Sequence, residues 1–309
     1  MYPETSYNPA PTAYPAPTPG TSRWKVWLGL LILLVIALIV AFLVAYTSIV
    51  PSRQVSHYIA DVKTHQPVLS AKMEKLSDTV LKSESLTSPT ADPEQTEKDA
   101  KAGSAALTAA LAELDTTKKQ VTSFSPLPLS SWNDRYKAAE VLRTKENDYI
   151  TKSEAYIKDM AEVVTFLDKT AKLGKTVTAG QDDLTLDKLA SEGLPVYGKH
   201  LSETIQAIEP AFEAYQKFKV PPSLKKIYDY DIFITKQIIA ALKKQAAAAQ
   251  ANDQAGYISA VIDTAEIDYN ALPTMEEYIN DFSKNSTLKK SDTTLRDLDE
   301  NITADIKKF

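Results

Sequence analysis

The sequence predicts an all-α protein: a single N-terminal transmembrane helix followed by an elongated antiparallel helical bundle, either one continuous bundle or two coupled ones. Three observations carry this. The twenty-residue run Val26–Ala45 contains no charged or strongly polar side chain. Only eight glycines occur in 309 residues, while Ala, Leu, Lys, Glu and Asp are abundant, a balance that favours helix over strand. Apolar residues recur at spacings of three and four through residues 51–309, and no alternating pattern bounded by hairpin turns interrupts them.

As a helix rising about 1.5 Å per residue, Val26–Ala45 would cover about 30 Å, the thickness of a bilayer's hydrocarbon core. The run exceeds the apolar segment of roughly 7–15 residues in a cleaved signal peptide, and Ala45-Tyr46-Thr47 is a poor cleavage site. A pilin-type leader fails as well, because basic Arg23 and Lys25 follow Gly20 where an early Glu is required. Those two charges precede the run, whereas Arg53 after it is offset by Asp61. The bias predicts a single-pass protein of the cell membrane with a cytoplasmic N-terminus and an extracytoplasmic C-terminal domain. Trp24, Trp27 and Tyr46 lie near the ends of the run, where amphipathic rings suit the membrane interface; the alternative is that they are ordinary lipid-facing residues. Gly29 is followed four residues on by Leu33, so the run has no small-residue dimerisation motif.

Four segments follow from this pattern. Residues 1–22 hold prolines and tyrosines at a density that cannot form a helix, and read as a disordered cytoplasmic tail or, more sharply, as a docking peptide for an aromatic-lined groove. Residues 23–50 are the transmembrane helix, which Pro51 is expected to stop. Residues 51–173 form a first helical unit of three helices. The first has a heptad-like seam at Val55, Ile59, Val62, Gln66, Leu69, Met73, Leu76 and Val80, interrupted by Pro67. That seam suits the first helix of an intramolecular bundle better than a self-associating coiled-coil stalk, because clean heptads are few. Asp92-Pro93 opens the second helix with a cap and a first-turn proline. The third, Ser131–Leu173, lacks Gly and Pro and would reach about 60 Å. Gly174–Asp183, with two glycines, is the candidate boundary, and residues 184–309 form a second unit of about four helices that includes the C-terminal one.

Composition excludes several functions. Net charge is −5, and the residues after position 50 carry −6 of mixed sign, so there is no electrostatic footprint for nucleic acid. Cysteine is absent, which removes disulfides, thiolate metal sites, a Cys nucleophile and a lipidated cysteine. His57, His65 and His200 share no ligand face, and neither H-E-x-x-H nor Glu-x-x-His occurs. No calcium loop, P-loop, dinucleotide fingerprint or nucleophile elbow is present. No cofactor, metal or catalytic residue is therefore assigned, and the protein reads as a non-enzyme. Fifteen tyrosines are the unusual feature. Tyr228, Tyr230, Tyr257, Tyr269 and Tyr278 are candidates for an aromatic groove taking a peptide, glycan or small apolar ligand, against the plainer reading of core and rim packing.

From Val220 to Tyr257, a Pro-Pro opening, an Ala-rich helix and a short Asn-Asp turn are similar in composition to helical hairpins of bacterial cell-surface lipoproteins and membrane-anchored proteins. The resemblance implies a bacterial surface module and nothing about ligand or activity. The expected role is a membrane-anchored interaction or scaffold module at the cell surface. Its partners would be the lipid bilayer and either a protein or a second copy of itself, with any small-molecule ligand unknown. A sensory or ligand-binding domain signalling through a partner is the alternative.

Overall fold

The computed structural model describes residues 23–88, 92–121, 133–182 and 184–309; the tail at 1–22 and the stretches 89–91, 122–132 and 183 lie outside it, as do the side chains of 23–29, 47–48, 50–51, 181–182, 186 and 268–272. Among the described residues the chain is all helical, with no strand. Its helices are α1 (Arg23–Val44), α2 (Val50–Leu81), α3 (Glu84–Thr87), α4 (Pro93–Val121), α5 (Asp134–Asp182), α6 (Leu186–Glu192), α7 (Leu194–Gln216), α8 (Lys225–Gln250), α9 (Gln254–Asn285) and α10 (Thr287–Ile306).

Among the described residues no helix is long and apolar enough to cross a membrane, so the span read from Val26–Ala45 has no support at this level. The described side chains of α1, Leu30–Val44, are all exposed. Pro51 does not stop the helix as expected: α1 passes through a π-helical turn, Ala45–Ile49, directly into α2. A proline removes the i→i−4 amide and crowds the preceding turn, and a widened turn placed just before it relieves both demands. Pro67, Pro210 and Pro273 likewise lie inside continuous helices rather than dividing them.

The long helices form two groups that share α5. In the first, α2, α4, the first half of α5 and α10 close an antiparallel four-helix bundle, each helix packed on the next and α10 returning against α2 and α5. Seam residues Val55, Val62, Leu69, Met73, Leu76 and Val80 are buried inside it, so α2 serves an intramolecular bundle. In the second group α7 packs on α5, α8 on α7 and α9 on α8, in the manner of a layer. The C-terminal helix follows the second group in sequence but packs in the first. Its Leu288, Leu295 and Ile302, spaced by heptads, turn inward there.

The expected boundary at Gly174–Asp183 is helix as far as Asp182, and Asp183 lies outside the described residues. α5 runs on to Asp182, about 70 Å in all, because its glycines serve close approach and not a break. A Cβ at Gly174 would come within 2.7 Å of the Pro93 ring, and one at Gly180 would strike Thr204 of α7, whose hydroxyl donates to the Gly180 carbonyl. The tightest such contact against backbone is Gly198 of α7, where a Cβ would meet the Gln250 amide nitrogen at 2.7 Å. Main chain cannot yield as a side-chain tip does. Gly198→Ala is expected to cost about 2 kcal/mol, within the usual range for overpacking, despite alanine's better helix propensity. Chemical denaturation should show the midpoint falling at unchanged slope.

Candidate functional site

Of the candidate groove tyrosines, Tyr230 and Tyr278 meet each other, whereas Tyr228 and Tyr257 each reach toward α7. Tyr228 is buried, and its hydroxyl donates to the Tyr215 and Phe218 carbonyls at 2.9 and 3.2 Å. It thereby adds a side-chain donor to the turn that ends α7, where the Phe218 amide also donates to the Tyr215 carbonyl at 3.0 Å. Tyr230 meets the edge of Tyr278 at 5.5 Å, bridging α8 and α9. Tyr257 meets the edge of Tyr197 of α7 at 6.2 Å. The Tyr269 side chain lies outside the described residues, as do those of Trp24 and Trp27. Tyr46 stacks on Phe42, with centroids 5.9 Å apart.

What sequence reading missed is a polar seam through the core of the first bundle. α10 alternates inward-facing Leu288, Leu295 and Ile302 with Asp292 and Asp299. Asp299 accepts from Gln66 Nε2 at 2.7 Å and from Ser70 Oγ at 2.8 Å, both on α2. Asp292 is buried and accepts from Tyr156 of α5 at 3.5 Å and from Arg296 Nε at 3.2 Å. The Arg296 guanidinium also reaches Glu74 and Asp78 of α2 at 3.4 and 3.7 Å. Lys145 of α5 pairs with Asp305 near the end of α10 at 2.5 Å. Burial and the neighbouring carboxylates hold the Tyr149 and Tyr156 hydroxyls above their ordinary range. A cavity of about 180 Å³ lies along this seam, lined by Tyr149, Tyr156, Asp292, Arg296 and Asp299 among others. Polar layers inside an apolar bundle fix which residues face each other, since a slip would leave buried carboxylates without donors. The readable signal was the seven-residue spacing of Asp292 and Asp299 on the face that carries Leu288, Leu295 and Ile302.

One layer beyond, the Tyr58 hydroxyl donates to Glu146 Oε2 at 2.6 Å. Glu146 is 1% exposed. Loss of solvent raises its carboxyl to about 7, the Tyr58 bond working against this and Asp61 with it.

In the second group two features stand out. The groove between α8 and α9, about 470 Å³, is lined by Tyr230, Phe233, Ile234, Lys244, Asp263 and Glu266 among others. An open face of α9 leaves Ile258, Val261 and Ile262 at 58%, 40% and 53% exposure. These residues follow the three- and four-residue spacing of one helix face. Among the described residues no cluster of three or more His, Asp or Glu could hold a metal ion, and His200 is engaged by Glu192 and Glu203 at 3.0 and 3.4 Å. No protein-family model, no curated protein and no solved structure matches this chain.

Proposed function

We propose that this chain is a membrane-anchored helical interaction module. In this reading Val26–Ala45 holds it in the bilayer with residues 1–22 in the cytoplasm. The helical domain then works outside the cytoplasm as a scaffold, through a protein partner or a second copy. The observation that carries the interaction reading is the open face of α9, where Ile258, Val261 and Ile262 keep large apolar surfaces exposed among the described residues. Contiguous apolar exposure on a folded surface marks contact with something other than water. The anchor reading is supported by the uncharged run itself and by the exposure of Leu30–Val44. The length of α5, about 70 Å, would carry the α9 face well away from the anchor.

The absence of cysteine gives a clean background for testing this. Ser259→Cys should react with a membrane-impermeant maleimide on intact cells, and Thr21→Cys should react only after lysis. The chain should stay in the membrane fraction after an alkaline wash, and recovery in the soluble fraction would refute the anchor. A photo-crosslinking residue at position 262 should give a discrete higher-mass species that Ile258→Lys abolishes. The absence of any discrete species would refute the interaction face while leaving the anchor intact.

A further inference from the structure

Where α3, α4, α5, α8 and α9 meet, a cavity of about 120 Å³ opens beside Asp231. Leu86, Phe166, Ile227 and Met275 supply apolar wall, Thr170 supplies a hydroxyl, and Asp231 is the one ionisable side chain among the described lining residues. Asp231 Oδ2 accepts from the Tyr215 hydroxyl at 2.7 Å, and that hydroxyl in turn lies 3.3 Å from Thr170 Oγ1. Among the described residues no basic side chain pairs with Asp231, which contrasts with Asp229, held by Lys225 two positions earlier on the helix surface. Enclosure raises the Asp231 carboxyl above the usual range, with the Tyr215 bond opposing.

Asp231 is partly buried, and a carboxylate partly withdrawn from water without a counter-charge carries a desolvation cost that one hydroxyl donor offsets only in part. The space beside the carboxylate is close to the roughly 150 Å³ of an apolar cavity able to hold benzene. Its chemistry differs from that case in one respect: a single anionic group stands at the edge of an otherwise apolar and hydroxyl-bearing wall.

We propose that this cavity binds a small organic cation, a primary ammonium group joined to a compact apolar body, with the ammonium donating to Asp231 and the body packed against Leu86, Phe166, Ile227 and Met275. The ammonium supplies the counter-charge that the fold withholds. Thr170 accepts a second ammonium proton, and Tyr215 keeps the carboxylate oriented. The site is independent of both the anchor and the α9 face, so it stands or falls separately from them.

The probe is benzylamine, with benzyl alcohol as its neutral counterpart, titrated into the detergent-solubilised full chain and followed by calorimetry and thermal unfolding. Benzylamine is expected to bind at least about tenfold more tightly than benzyl alcohol at pH 8. Its advantage should shrink as the pH is lowered and the carboxyl takes up a proton. Asp231→Asn, which preserves shape, should erase the discrimination and leave benzyl alcohol binding unchanged. If that variant fails to fold, the amine-to-alcohol ratio of the unaltered chain and its dependence on pH decide the matter. Equal affinities, no binding of either probe at millimolar concentration, or discrimination retained in Asp231→Asn would each overturn the proposal.

Discussion

Removing Thr287–Phe309 is expected to unfold the first bundle and not merely to trim its end. α10 forms one wall of that bundle, and its Leu288, Leu295 and Ile302 are each no more than 4% exposed. Burying one such side chain is worth about 1.5–3 kcal/mol. Three of them approach the whole stability of a typical domain, about 5–15 kcal/mol. The loss also uncovers Tyr149 and Tyr156 and strips Gln66 and Ser70 of the carboxylate they bond. A smaller change should report the same dependence in graded form. Leu295→Ala is expected to cost about 2–5 kcal/mol through lost transfer energy and the cavity left behind. Asp299→Ala should cost about 1–3 kcal/mol by removing the acceptor of buried Gln66 and of half-buried Ser70. Circular dichroism would read the truncation as lost helicity in α2, α4 and the first half of α5. A native-like thermal transition in the truncated chain would show that α10 is an appendage.

The helices themselves were legible because their signals are local. Asp92 accepts from the Glu94 amide at 3.0 Å at the start of α4, as its place before Pro93 predicts. Asn252 adopts a positive φ of 57° and Asp253 caps Gly256 at 3.0 Å, so the short Asn-Asp turn joins α8 to α9 as read. Long-range pairing was less legible for a physical reason. A glycine within a helical pattern signals either a break or a close approach, and only the neighbour decides. Gly174 and Gly180 have Pro93 and Thr204 as neighbours, and both elements come from distant sequence. The partnership of α10 with α2 joins residues more than two hundred positions apart, Gln66 with Asp299, and no periodicity within either helix names the other. Tyr228, Tyr230, Tyr257, Tyr269 and Tyr278 could be read either as a groove or as core and rim packing, because an amphipathic ring fits many settings. Of these Tyr228, like Tyr58, Tyr156 and Tyr215 elsewhere in the chain, places its hydroxyl on an internal carboxylate or carbonyl, which is how a helical core admits polar atoms without leaving them unpaired.

The same economy makes the first bundle sensitive to pH through Glu146. Its carboxyl titrates near 7 in the folded chain against an ordinary 4.5, with burial as the main cause. The folded state therefore holds the proton more tightly than the unfolded chain does. The stabilisation from this group is complete below pH 4.5, declines as pH rises through 7, and is absent above. The shift corresponds to about 3 kcal/mol between those limits. Tyr58 donates a hydrogen bond, Asp61 raises the carboxyl further, and His65, Thr117 and Gln120 line the same small space from α2 and α4. Arg143, on the same helix, acts on Tyr58, while Lys145 is engaged by Asp305 of α10. Glu146→Gln, neutral at every pH and of the same shape, should match the parent chain below about pH 4 and exceed its stability by about 3 kcal/mol at pH 8. Asp231, also raised by burial, leaves a residual slope in both chains and cancels in their difference. Denaturant titrations of the two chains at several pH values give that difference directly. A difference independent of pH would mean that Glu146 stays ionised in the core, paired by Tyr58 strongly enough to offset its loss of solvent.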